Sequence, residues 1–199
     1  MEKIINYKLN EFLKLNDELL IQEYSAILEH LRPLKELSNP RARWYNKKPK
    51  KLQVKAIREL SFGDVTLART LYNEQQNEGV FQIIKMITGL EEKEVLGLTI
   101  LEFYGIISNI KQELTEINNL ELNELQDDSF DFNLEAVNAN KRMARFGVLN
   151  TINVLSKEDV LKWSEIENLP YLTIFTKLLM DKEKNNIQRE LAELQKKKQ

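Results

Sequence analysis

An all-α fold, a multi-helix bundle with a long C-terminal helix and a basic non-helical arm, is what this sequence predicts. Three features carry the prediction. Apolar residues recur at three- and four-residue steps over most of the chain. Six glycines and four prolines in 199 residues leave long stretches without a helix breaker. Hydroxyl residues stand three positions before an acid at the head of several apolar runs, the pattern of a helix N-cap.

The elements follow in chain order. Ile4, Ile5, Leu9, Phe12, Leu13, Leu15, Leu19, Leu20, Tyr24, Ile27, Leu28 and Leu31 form the stripe of one amphipathic helix or a pair of them. Pro33 and Asn39-Pro40 end it, because the residue before proline is pushed out of helical geometry. From Pro40 to Lys55 the chain is polar, holds Pro40 and Pro49 and has no acid, so it reads as a loop or arm. Ser61 with Asp64, Thr99 with Glu102, and Ser156 with Asp159 then mark helix starts. They predict helices over about 62–77, 80–88, 100–120 and 157–163, with Gly89 as a left-handed stop. A further helix is expected over about 134–155, through Val137, Met143, Ala144, Phe146, Val148, Leu149 and Ile152. The last starts near Pro170 and runs into the terminal lysines. Four segments result: helical 1–38, arm 39–55, a helical domain 56–169 and a projecting helix 170–199. The series Ile83, Ile84, Ile87, Leu90, Val95, Leu96, Leu98 returns 65 positions later as Val148, Leu149, Ile152, Leu155, Val160, Leu161, Trp163, an echo that a duplicated hairpin or two ordinary helical hairpins would each produce.

Composition bounds the chemistry. The apolar fraction of 42% can build a core, and charged residues at 30% nearly cancel to a net −2. With no cysteine, thiolate metal sites, disulfides and cysteine nucleophiles are excluded. The lone histidine, His30, sits beside Arg32 at a predicted helix end, where a cation complements the helix dipole. No glycine-rich phosphate loop is present, since the glycines stand singly. Asp127, Ser129, Asp131, Asn133 and Glu135 alternate as calcium-loop ligands do, but Phe132 replaces the turn glycine and Asn138 the closing glutamate. No catalytic residue, metal or cofactor is therefore expected. No stretch reaches the length of a membrane span, and neither a membrane partner nor a signal peptide is expected.

What remains are surfaces for partners. Arg41, Arg43, Lys47, Lys48, Lys50, Lys51, Lys55 and Arg58, with Trp44 and Tyr45 among them, suit a solvated loop whose aromatics pack back onto the domain, a protein hot spot, or phosphate neutralisation with base stacking. Glu113 to Glu135 is an opposite block without a base, within which Phe130, Phe132 and Leu134 alternate with polar residues as an extended segment on an apolar surface would. Opposite blocks in a near-neutral chain pair within a molecule or between copies, so a homo-oligomer is one expectation. In the C-terminal helix, Ile187, Leu191 and Leu194 form a thin seam suited to a partner helix. The expected contact residues are thus Arg41, Arg43, Trp44, Tyr45, Lys47, Lys48, Phe130, Phe132, Ile187, Leu191 and Leu194.

Leu60, Ser61, Phe62, Gly63 and Asp64 with the helix after them resemble an N-terminal element of small proteins from tailed-phage virion-assembly gene clusters. Phe146, Gly147, Thr151, Leu155, Asp159, Trp163, Ile166, Leu169, Pro170, Thr176, Lys177, Leu178, Leu179, Glu183, Lys184, Gln188 and Glu190 look like their closing region. Tail-assembly chaperones and crAss-like phage structural proteins are the members meant, and residues 55–195 carry the likeness. The resemblance implies a non-enzymatic virion or assembly protein, in the particle or the host cytoplasm, binding other virion proteins, with no catalytic residues to transfer. The first helices and the basic arm lie outside it. A nucleic-acid-binding accessory protein using the arm, or a tail chaperone absent from the mature particle, are the alternatives.

Overall fold

A computed structural model describes residues 7–15, 18–28, 30–42, 45, 49–74, 77–126 and 136–196. Among them helices dominate, joined by one two-stranded sheet. The α-helices are α1 (Leu9–Phe12), α2 (Glu18–Leu28), α3 (Phe62–Asn73), α4 (Asn77–Thr88), α5 (Glu92–Val95), α6 (Ile100–Leu125), α7 (Ala139–Ala144), α8 (Val148–Leu155), α9 (Trp163–Asn168) and α10 (Tyr171–Lys196). Strands β1 (Glu36–Ser38) and β2 (Lys51–Gln53) pair antiparallel, with Leu37 opposite Leu52. The all-α class and the long C-terminal helix agree with the sequence. The segment read as a loop or non-helical arm supplies β2, because Leu37 on its partner strand is buried and fixes the register.

The chain divides into two compact units, residues 1–57 with 67–116 and residues 58–66 with 117–199, a division that cuts across the four segments expected. In the first unit, Phe12, Leu28 and Ile100 form a buried cluster with Leu15, Tyr24, Leu31 and Tyr104 packed on it. Ile83, Ile84 and Ile87 of α4 are also buried, as are Ile106 and Ile110 of α6, one apolar face from each helix. In the second unit Phe62, Val65, Ile117, Ile152, Tyr171 and Ile174 are buried, and the rings of Tyr171 and Phe175 stack 6.1 Å apart.

Both units start a long helix in the same way. In the first, Leu9 N donates to Leu98 O and Ile100 N to Tyr7 O; in the second, Phe62 N donates to Leu169 O and Tyr171 N to Leu60 O. Each pairing is a two-residue antiparallel bridge, Lys8 with Thr99 and Ser61 with Pro170, and it satisfies amide donors that a helix N-terminus leaves open. The two stretches of the sequence echo lie in the same order of elements, helix, short helix and long helix, in α4–α5–α6 and α8–α9–α10.

Two of the three expected caps form. Thr99 and Glu102 make a reciprocal box, Glu102 N to Thr99 Oγ1 at 3.3 Å and Thr99 N to Glu102 Oε2 at 3.1 Å, and Asp64 N donates to Ser61 Oγ at 3.1 Å. The third does not. Ser156 is buried at the end of α8 with its hydroxyl on Asn153 O, Lys157 and Glu158 follow in the left-handed region, and Asp159 caps instead by accepting from Leu161 N. A 3-10 turn (Val160–Lys162) and α9 thus replace the helix expected over 157–163. The expected 134–155 helix is likewise broken: Gly147 at φ 50°, ψ −130° separates α7 from α8, a conformation that residues with a side chain rarely adopt. Gly89, at φ 69°, ends α4 as expected.

Candidate partner-binding surfaces

The basic segment is the loop of the β1–β2 hairpin. Asn39 closes its base: its backbone N–H donates to Lys50 O at 2.9 Å, its side-chain amide to Pro49 O at 2.9 Å, and its Oδ1 accepts from Arg41 N at 2.9 Å. Arg41, one of the expected contact residues, is engaged within its own unit. Its Nε and Nη2 take both oxygens of Glu94 at 2.6 and 2.5 Å, and Nη2 also reaches Gly89 O at 2.7 Å. The Glu94 carboxylate holds the guanidinium pKa above its ordinary value. Arg41 therefore anchors the loop beside the α4–α5 turn. Tyr45 is 71% exposed, and Arg43, Trp44, Lys47 and Lys48 lie outside the described residues. Lys50 and Lys51 are exposed; Lys51 pairs with Glu36 at 2.9 Å, and Gln53 and Lys51 together hold the Glu36 carboxyl below its usual range.

Glu102 joins this hairpin to α6. Its Oε1 accepts from Ser38 N at 2.9 Å while Oε2 serves Thr99. Burial pushes this carboxyl up, but the backbone N–H groups and hydroxyls of Ser38 and Thr99 favour the charged form more, and the net shift is downward.

The acidic block contributes internal bonds where it is described. Glu113 accepts from Ile57 N and from the Asn109 amide, and Glu121 accepts from Tyr171 Oη at 2.9 Å. The ion pairs of Arg41 and Lys51 run to Glu94 and Glu36, both outside that block. Phe130, Phe132 and the calcium-like alternation lie outside the described residues.

In α10 the predicted seam is solvent-facing. Ile187, Leu191 and Leu194 are each about half exposed and Met180 is 66% exposed, whereas Ile174 and Phe175 near the start of the helix are buried. Lys182 Nζ, at mid-helix, donates to Glu124 O in the last turn of α6, a favourable place for a cation.

One surface escaped the sequence reading. Met143, Phe146, Leu149, Asn150, Asn153 and Trp163 line a groove of about 310 Å³ in the second unit. Met143, Phe146 and Leu149, all in the apolar series of the expected 134–155 helix, stay 43–44% exposed. The break at Gly147 is the reason, because it resets the helical phase between α7 and α8. The glycine inside an apolar run was the signal that could have found it. The Arg145 guanidinium lies 4.7 Å from the centroid of the Phe146 ring. Trp163 Nε1 is sealed from solvent and has no acceptor among the described residues.

Among the described residues no group of three or more His, Asp or Glu is placed to hold a metal ion, and no helix is long and apolar enough to cross a membrane. His30 is exposed in the turn after α2. Comparison with known protein families, with curated proteins and with solved structures finds no match for this chain.

Proposed function

We propose that this chain is a non-enzymatic structural or assembly protein of a tailed-phage particle, working by burying its exposed apolar surfaces against other virion proteins. One observation carries the reading: large apolar side chains stand in solvent in organised sets. Met143, Phe146 and Leu149 line a groove, and Ile187, Leu191 and Leu194 run along one helix at four- and three-residue spacing. Such contiguous surfaces mark sites that a partner covers. The resemblance of residues 55–195 to virion-assembly proteins supplies the setting. Mass spectrometry of purified particles tests it. The protein is expected as a stoichiometric component; its absence from mature particles, with association to tail components in infected cells, would instead establish the chaperone role. Absence from both would refute the reading.

A second reading, a nucleic-acid-binding accessory protein, is favoured by the hairpin loop, which holds exposed Tyr45 and exposed Lys50 within a stretch that has no acid. Phosphate binding through several cations weakens steeply with salt. Replacing Lys47, Lys48, Lys50 and Lys51 by Ala would then abolish DNA and RNA binding, and unchanged binding would end this reading.

A further inference from the structure

We infer that the groove of the second unit docks an acidic segment of a partner protein through one aromatic side chain. The inference rests on the protein-contact reading above and names the partner's chemistry. The lining is mainly apolar, Met143, Phe146, Leu149 and Trp163, with the amides of Asn150 and Asn153 as its polar groups. Its volume of about 310 Å³ suits a single buried anchor rather than an extended core.

Charge decides what surrounds the anchor. From Ala136 to Ser156, the stretch that forms most of the groove, there is no acid, and Lys141, Arg142 and Arg145 are all exposed. The Arg145 guanidinium lies over the ring of Phe146, itself a lining residue, which sets a cation at the edge of the apolar surface. A guanidinium stacked in this way keeps its N–H edge for a carboxylate. On the adjoining segment Asp159 is paired with Lys162 at 3.2 Å, while Glu158 and Glu165 are exposed acids outside the Ala136–Ser156 stretch. An uncharged apolar partner would leave these cations without use. A nucleic acid would leave the aliphatic floor of Met143 and Leu149 without use, since bases stack on open aromatic faces. An aromatic residue flanked by Asp or Glu uses both.

Trp163 lines the groove and reports on its occupancy. Trp44→Phe leaves Trp163 as the single tryptophan of the two in the chain. In that background, a synthetic acidic heptapeptide with a central phenylalanine is titrated while indole emission is followed. A saturable change is expected. Binding should weaken roughly tenfold when the peptide phenylalanine becomes alanine, and by a similar factor in Arg142→Glu or Arg145→Glu, two exposed positions where circular dichroism should confirm the fold.

The inference is overturned if the acidic peptide gives no saturable change up to about 1 mM, or if a lysine-flanked peptide or an oligothymidylate binds as tightly. Self-association that disappears in Arg145→Glu would place a second copy in the groove and also overturn it. So would a Trp163 emission shift in the free protein that Phe130→Ala with Phe132→Ala abolishes, because the chain's own acidic stretch would then be the occupant. The two readings fail separately. Protein found in particles without peptide binding sinks the groove assignment alone, and peptide binding by a protein absent from particles and tail components sinks the virion reading alone.

Discussion

Replacing Glu102 by alanine removes the acceptor for Ser38 N, Thr99 N and the Thr99 hydroxyl in one step. Loss of the N-cap box at α6 costs about 1 kcal/mol. The freed amide of Ser38, a residue exposed to water, regains a solvent partner, so its bond adds about 1 kcal/mol rather than the larger figure for a buried charge-assisted bond. The sum is roughly 2 kcal/mol, or about 4–8 °C in Tm for a chain of this size. Glu102→Gln keeps one acceptor oxygen and should lose roughly half as much. The carboxyl also sets a pH signature. Its folded pKa lies below the ordinary 4.5, so its stabilisation is complete above that value and is lost as pH falls through the lower folded pKa. The gap in Tm between wild type and Glu102→Gln should therefore hold constant from neutral pH down to about 5 and close below about 4.5. Thermal unfolding followed by circular dichroism at a series of pH values reads both effects. An alanine variant within about 1 °C of wild type, or a gap that widens on acidification, would show that Glu102 does not hold the hairpin and the cap in this way.

Two single substitutions and one triple substitution have further expected outcomes. Gly147→Ala forces a side chain into φ 50°, ψ −130° with no atom of the described residues within 4 Å to clash, so its cost, about 1–3 kcal/mol, is conformational; urea unfolding should rank it above Gly89→Ala, whose αL geometry is easier to hold. Trp163→Phe removes a buried N–H that has no acceptor among the described residues, a penalty of about 1–3 kcal/mol that offsets the lost ring area, so stability should stay level or rise; a Tm fall of more than about 6 °C would show that the donor was satisfied. Ile187, Leu191 and Leu194 all changed to serine should leave the Tm within about 2 °C of wild type, because all three face solvent, while recovery with particles or tail components drops.

The parts of the fold legible in the sequence were those set by local chemistry. The boxes at Ser61 and Thr99, the stop at Gly89 and the long helices need only neighbours in the chain. The hairpin was not legible, because β1 and β2 are three residues each and their pairing depends on the closure at Asn39 and the acceptor at Glu102, 64 positions from Ser38. Ser156 misled because a hydroxyl ahead of an acid serves a helix end as readily as a helix start; here its Oγ turned back to Asn153. The same holds for surfaces. The seam at Ile187, Leu191 and Leu194 was visible as spacing, and the structure places all three in solvent. Arg41 was read as a grip from composition, but its partners Glu94 and Gly89 lie 53 and 48 positions away, beyond any local pattern. The groove was hidden because Gly147 shifts the helical phase, so residues that share a face in an unbroken helix become its exposed lining.

Cross-linking mass spectrometry on purified particles, with lysine-reactive reagents, bears most directly on the claim that this chain acts by covering its exposed apolar surfaces with virion proteins. Lys141 on α7 and Lys184 on α10 stand beside the two surfaces in question. Links from both to other particle proteins are expected, and their loss when Leu149 and Leu191 are changed to serine. Particles and tail intermediates that lack the protein, or links that persist unchanged in those variants, would contradict that claim.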